Sequence, residues 1–199
     1  MPIVLNGSGT ITGVSVGGLP DGIVDTDMIA NSNVTAGKLA SGVGGKVLQY
    51  KVAKKNDTAS SAATTMVEIS PDLRVTITPT SASNLIVIQA QLTANGYGNY
   101  GCAAMIKKNT ASDFSGTTSN VYVPSVFTDA THANAIMFAY INGYMQSTPI
   151  QVYETAGNTT ARTYSPFYVA SGTNVVYLNQ FGTGYRGTST MIVMEVDPT

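Results

Sequence analysis

The sequence predicts an all-β protein: a C-terminal β-sandwich, jelly-roll-like in its strand spacing, preceded by a short extended N-terminal segment built on a repeat. Three observations lead there. Residues 46–199 break into short apolar runs separated by Gly, Asn, Ser and Thr clusters, with the roughly 8–12-residue spacing of sandwiches. No window carries a 3.6-period apolar stripe with helix caps. Charged residues make up only 11% of the chain, so its polar surface must come from Thr, Ser, Asn and Gly. Those side chains compete for backbone hydrogen bonds and favour strands and turns over helices.

The elements follow in chain order. Residues 1–45 are rich in Gly, Ser, Thr and Asn and cannot bury a core alone. They are nevertheless patterned: Val24 to Asn31 aligns with Val34 to Ser41, sharing Val, two small or polar positions, a variable pair, Ile or Leu, Ala, and Asn or Ser. A repeat with one apolar cluster and no internal partner needs neighbouring copies to bury it. A flexible linker is the plainer reading, but a linker has no reason to keep an apolar frame. An intertwined stalk or anchor is therefore expected at 1–45, with Gly42-Val43-Gly44-Gly45 as a hinge and a head domain at 46–199. The low charge also suits large subunit contacts, since few ions would be desolvated.

Within 46–199, Leu73, Val75 and Ile77 alternate with Arg74, Thr76 and Thr78, the period-2 pattern of a half-buried strand. Pro79 and Thr80-Ser81-Ala82-Ser83 mark a turn. Leu85-Ile86-Val87-Ile88 is apolar on both faces before the alternation resumes, which suits a central strand covered on both sides at one end. Further strands are expected at 46–53, 64–69, 101–107, 120–127, 134–141, 150–154, 164–170, 174–181 and 189–196.

Composition excludes several function classes. A net charge of −1 with scattered basic residues steers the chain neither to nucleic acid nor to an anionic membrane. Lys54-Lys55 and Lys107-Lys108 read as solvated strand ends. The single cysteine, Cys102, has no intrachain partner and apolar neighbours, so a buried structural thiol is expected. The N-terminus lacks the basic and apolar regions of a signal peptide. The longest apolar stretch, Ala135 to Ile141, is far short of a membrane span, so no membrane insertion is expected.

Several segments together carry a resemblance. Leu5 to Gly13 followed by Gly17-Gly18-Leu19-Pro20-Asp21-Gly22 resembles the opening of bacteriophage tail fibre, or receptor-binding fibre, proteins from phages of aquatic bacteria. Val34 to Ala40 is similar to a repeated unit in those fibres. Ile77 to Val87, Val175 to Gln180 and Met191 to Val196 look like elements of their C-terminal domains. The resemblance implies a homotrimeric, β-rich distal domain on a virion, contacting a host surface glycan or protein. Residues 1–45 would dock on other tail or capsid proteins, and the chain would be made in the host cytoplasm without a signal peptide. Relatives would carry an arginine near the place where this chain has Lys107 and Lys108. A purely structural virion role (head fibre, capsid decoration or tail-assembly piece) is the alternative.

No enzyme signature survives inspection, and no catalytic residue, cofactor or metal ligand set is expected. Gly45-Lys46 fails as a P-loop because Ala40 stands at the first glycine and Val47 follows the lysine. His132 is the sole histidine, too little for a His-rich zinc site. Glu195 and Asp197 sit two apart near the chain end and read as a solvated rim. Glu154, before a Gly-Asn turn, reads as a loop residue. Neither fits the carboxylate pairing of a glycosidase.

The sharper signal is aromatic. Tyr97, Asn99 and Tyr100 sit in Asn95-Gly96-Tyr97-Gly98-Asn99-Tyr100-Gly101. Tyr144 follows Asn142-Gly143, and Tyr185-Arg186 sits between Gly184 and Gly187. Tyrosines in Gly/Asn loops offer flat apolar faces with a polar tip, on which sugars stack while Asn and Arg donate. The competing reading is that these rings pack between subunits or anchor turns. Both stand at this stage. Tyr164, Phe167, Tyr168 and Tyr177 fall within strand patterns and are expected in the core or a subunit interface.

Overall fold

The structure, a computed structural model, describes residues 4–5, 11–12, 34, 38, 46–96, 102–114, 118–121, 136–138, 144–170 and 175–198. Contacts divide the chain into two units, Met1–Gly44 and Gly45–Thr199. In the first, β1 (Val4–Leu5) pairs antiparallel with β2 (Ile11–Thr12). Val34 and Lys38 are exposed. The rest of the repeat at 24–41 lies outside the described residues.

The second unit is built of strands, and no α-helix occurs among the described residues. In order they are β3 (Val47–Lys55), β4 (Ala59–Ser61), β5 (Val67–Glu68), β6 (Val75–Ile77), β7 (Leu85–Gly96), β8 (Cys102–Asn109), β9 (Ser119–Asn120) and β10 (Ile136–Phe138). Then come β11 (Gln146–Thr155), β12 (Arg162–Ala170), β13 (Val176–Leu178), β14 (Gln180–Phe181), β15 (Tyr185–Arg186) and β16 (Ser189–Val196). The run expected to be strand from Leu73 begins instead with a 3-10 turn, Pro71–Leu73. Pro71 pre-sets its first position, and the Ser70 hydroxyl accepts from the Asp72 amide. Of the strand expected at 120–127, Ser119–Asn120 pairs with β8; residues 122–127 lie outside the described set.

The pairings define two sheets. β3, β16, β7 and β11 lie side by side, with β13 and β4 continuing beyond β7; β10 and β9 flank β8, which pairs with β12, which pairs with β5 and β6. All these pairs are antiparallel. Take β5 with β6, and β9 with β10, as halves of single strands. The series β3, β5/β6, β7, β8, β9/β10, β11, β12, β16 then numbers one to eight, and the sheets read 1-8-3-6 and 2-7-4-5. That interleaving is the jelly roll of two Greek keys, so the expected all-β sandwich is what the chain forms. Pro166 lies within central β12 yet costs no ladder bond. It falls between the residues that pair with β6 (Arg162 to Tyr164) and those that pair with β5 (Phe167, Tyr168).

The core lies between the sheets, on alternate residues of each strand. Ile86, Ile88, Ala90, Leu92 and Ala94 of β7, Ile150 and Val152 of β11, and Met191 and Val193 of β16 meet Cys102, Ala104 and Ile106 of β8 and Tyr164, Tyr168 and Ala170 of β12. Cys102 is buried as expected, and burial pushes its thiol up to about 12. Strand β12 is buried on both faces: Phe167 and Val169 pack outward with Ala103 and Met105, under Met66 and Phe114. The outer face of the other sheet is not covered in this way. The register aligns Tyr50 with Met194, Met194 with Val87, and Val87 with Tyr153. Tyr50, Val52 and Tyr153 in this patch are each more than half exposed.

Three sequence-based expectations are corrected. Glu195 is not on a solvated rim: it is fully buried, because Gln49, Thr80 and Asn84 surround it with donors. Glu154 is in β11, not a loop, and its carboxylate bonds Lys108 and the Tyr164 hydroxyl. Lys55 is buried between Asp57 and Asp72, and Lys107 is half-buried with its amine 5.0 Å from the centre of the Phe167 ring; only Lys54 fits the solvated strand end.

Candidate functional site

The sandwich has two ends. Val47 opens β3 beside Val196, Val196 lies beside Leu85, and Leu85 lies beside Thr155. This proximal end is where the chain enters the unit. At the distal end Lys55 pairs with Ser189, Ala94 with Gln146 and Leu178, and Cys102 with Ala170.

A short hairpin, β14–β15, is built onto the distal end, and one residue positions it. Asn179 follows β13 with φ of 56°, a left-handed conformation that asparagine tolerates better than most residues. Its side chain is fully buried: Nδ2 donates to the carbonyls of Lys55 (2.9 Å) and Asp57 (3.1 Å), and Oδ1 accepts from the Ser189 hydroxyl (2.8 Å). Its amide donates to Thr93 O, and its carbonyl accepts from the Gly187 amide. The return leg of the hairpin passes so close to the sheet that a Cβ on Gly187 would stand 2.5 Å from Thr93 Cγ2. That approach requires glycine. At the tip, Gly182 has φ of 59°.

This geometry raises three rings into a ridge. Tyr144, just before β11, stacks on Phe181 at 6.0 Å between centroids and 17° between planes. Phe181 in turn meets Tyr185 at 5.6 Å and 38°. Both separations lie in the attractive range for offset aromatic pairs. Tyr144 is 69% exposed and Tyr185 65% exposed. Arg186, also exposed, donates from Nη1 to the Tyr185 carbonyl at 3.2 Å. A cavity of about 280 Å³ adjoins the ridge, lined by Asn95, Tyr177, Gln180, Phe181, Gly182 and Thr183.

Of the residues singled out from the sequence, Tyr144, Tyr185 and Arg186 are therefore gathered at one end. Tyr97, Asn99 and Tyr100 lie outside the described residues, as does His132. The residues flanking that tyrosine loop, Gly96 and Cys102, close the distal ends of β7 and β8. Tyr164, Phe167 and Tyr168 are buried as expected, while Tyr177 is half-buried and faces the cavity. Sequence reasoning missed Phe181 and Asn95. Phe181 precedes the same Gly-rich turn that flagged Tyr185. Asn95 carried no signal, since its burial depends on the hairpin folding over it.

A second cavity, about 400 Å³, opens at the proximal end among Lys108, Asn109, Thr110, Ser119, Thr155, Ala156, Gly157, Asn158, Thr160 and Arg162. Its cations are already engaged. Lys108 bonds Glu154, and Arg162 donates to the carbonyls of Ala156 (2.6 Å) and Asn158 (2.9 Å) and to Asn158 Oδ1 (2.7 Å). These bonds hold the turn after β11.

No protein-family model matches the chain, and no curated protein matches it. Among solved structures it is similar to that of the infectious bursal disease virus Gt strain, with a TM-score of 0.38 and 10% identity over 75% of this chain and 38% of that one. It is also similar to the infectious bursal disease virus VP2 subviral particle, with a TM-score of 0.36 and 13% identity over 77% of this chain and 39% of that one. The chain spans under two-fifths of those proteins' length. Likenesses of that size assign neither fold nor role; the jelly roll rests on the strand order above.

Proposed function

We propose that this chain is a non-catalytic virion component: a homotrimeric fibre subunit whose distal loops bind a host surface molecule, with a glycan as the favoured ligand. The observation that carries the reading is the gathering of Tyr144, Phe181 and Tyr185 at the end of the sandwich opposite the point where the chain enters it. Loops on a rigid sandwich can carry binding residues without disturbing the core. Exposed tyrosines supply contact area at little conformational cost. In this reading residues 1–45 dock on tail or capsid proteins, and several copies raise weak single-site binding by avidity. The test is adsorption to host cells by particles carrying Tyr144→Ala together with Tyr185→Ala. Adsorption should fall at least several-fold while folding and assembly persist. Normal adsorption by a folded, incorporated variant would sink the reading.

A second reading, a purely structural virion protein such as a head fibre, capsid decoration or tail-assembly piece, is favoured by the exposed row from Tyr50 to Tyr153. An apolar face of that kind suits burial against a neighbouring subunit. Under it, the distal rings are packing residues, and their double substitution impairs assembly before adsorption.

A further inference from the structure

We infer that the outer face of the sheet β3, β16, β7 and β11 lines a three-fold axis, buried there against the same face of two further copies of this chain; the inference rests on the homotrimer of the first reading and names its contact surface. The strand register lays that face out in rows. Tyr50, Met194, Val87 and Tyr153 form the central row. Val47, Val196, Leu85 and Thr155 lie on its proximal side, and Val52, Ile192, Gln89 and Gln151 on its distal side. None of these side chains is charged, and Val47, Tyr50, Val52 and Tyr153 are each more than half exposed. A surface that covers them must itself be uncharged there, or its ions would lose hydration without gaining a partner. The same face of another copy meets that condition.

Both margins of the sheet disfavour the other route, strand addition. β3 is an edge strand, and its Lys51 lies opposite the buried Val193, on the inward-facing side, yet is exposed. An inward-turned charge on an edge strand discourages pairing with a further strand. At the other margin β11 carries Pro149, which has no amide to donate. Contact between copies therefore falls to the face. Four strands about 4.8 Å apart make it roughly 19 Å wide. Three such faces close a triangle whose centre lies about 5.5 Å from each, close to half the roughly 10 Å between stacked sheets. Side chains of the inner strands β16 and β7 then fill the axis, and at each corner β3 of one copy meets β11 of the next. Tyr50 and Tyr153 share a row, so they meet there at the same height. The three rows cover roughly 400 Å², about half of the ~800 Å² that each partner gives to a standard interface. They form its apolar centre, and the strand margins form its polar rim. With the strands along the axis, all three distal ends point the same way, and the three ridges of Tyr144, Phe181 and Tyr185 stand side by side for multivalent binding.

The test is mild oxidation of the full chain carrying Tyr50→Cys together with Tyr153→Cys, followed by denaturing electrophoresis. Cys102 is buried and stays out of the reaction. The double variant should give a covalent trimer, and neither single variant should. In parallel, Tyr50→Lys with Tyr153→Lys should raise the dissociation constant of the trimer roughly ten-fold or more, by placing like charges at each corner. Tyr144→Ala with Tyr185→Ala should leave that constant unchanged. If the cysteine variant does not fold, the lysine variant decides alone. Covalent dimers as the largest product, or ladders beyond three chains, overturn the three-fold face. A wild-type trimer by light scattering that neither cross-links nor responds to the lysines is held elsewhere, with the face left to another virion protein; the inference then falls and the homotrimer stands. A monomeric wild type brings down both.

Discussion

Glu195 offers the sharpest energetic test of the fold. Its side chain is fully buried at the proximal end. Oε1 accepts from the Thr80 amide (2.6 Å), the Thr80 hydroxyl (2.8 Å) and Asn84 Nδ2 (2.7 Å), while Oε2 accepts from Gln49 Nε2. Burial alone would push this carboxyl upward. The donors from Asn84, Thr80 and Gln49 outweigh it and hold the group at about 2, against 4.5 for the unperturbed residue. That gap corresponds to roughly 3 kcal/mol of stability at neutral pH, a large share of the 5–15 kcal/mol of a typical domain. Because the folded-state value lies below the unfolded one, the contribution is complete above about pH 4.5 and drains away as pH falls towards 2. Urea denaturation of the wild type and Glu195→Gln, at several values from about pH 7 to about pH 2.5, measures it. The variant should start roughly 3 kcal/mol less stable, with an amide proton now facing donors, and should lose less on acidification. The Asp72 carboxyl is also held below its ordinary value, chiefly by its bond from Lys55, and adds its own acid dependence to both proteins, so the difference between them is the measure, not either slope. Equal acid sensitivity in both would refute the account.

Three further outcomes are expected. Asn179→Ala removes the contacts to Lys55, Asp57 and Ser189 and leaves a left-handed backbone without its preferred residue. It should cost roughly 3 kcal/mol, or about 10 °C in melting temperature, and an unchanged melt would show that the hairpin is held otherwise. Cys102, with its thiol pushed to about 12 by burial, should resist a thiol reagent at about pH 8 in the native protein and react on unfolding; rapid native labelling would contradict its placement. Light scattering at micromolar concentration should give a multiple of the 20.7 kDa chain, lowered by Tyr50→Lys with Tyr153→Lys if the exposed row is the contact, whereas a monomer throughout removes the trimer.

What could be read from the chain was what is local. The alternation of Val75 and Ile77 with Thr76, and the two-faced apolar start of β7, placed strands within a few residues, because a pleated strand writes its exposure with period 2. Tyr144, after Asn142-Gly143, and Tyr185, in the run from Gly184 to Gly187, announced exposed rings for a local reason too: glycine frees the backbone to turn. What escaped depends on pairing across long separations. Glu195 looks like a chain-end carboxylate until Thr80 and Asn84, more than a hundred positions earlier, close around it. Glu154 looks like a loop residue until Lys108 and Tyr164 arrive from the opposite sheet. Nothing near Asn95 announces that residues 180–183 will fold over it. Periodicity reports which face a side chain takes, but not what stands opposite.

The polar networks at the two ends differ in a way that bears on function. At the proximal end Glu195 is fully buried among neutral donors, and the half-buried Glu154 bonds Lys108 close to Arg162. The depressed Glu195 carboxyl makes that end sensitive to acid. The ridge at the distal end is positioned by neutral side chains, with Asn179, Ser189 and Thr93 joined by hydrogen bonds and Gly187 held by close approach; the ion pairs of Lys55 with Asp57 and Asp72 lie beside it, and Asn179 meets them through the backbone carbonyls of Lys55 and Asp57. The neutral side chains do not titrate over the range in which Glu195 loses its contribution. Mild acid should therefore loosen the turn at Thr80–Asn84 while the ridge keeps its geometry. Hydrogen exchange at about pH 3 can resolve this, because the two ends are cooperative neighbours but not one network: amides of residues 80–84 should exchange before those of 179 and 187. Simultaneous exchange of both sets would mean that the ridge depends on the charged end after all, and that its exposure is not the property of an independently held surface.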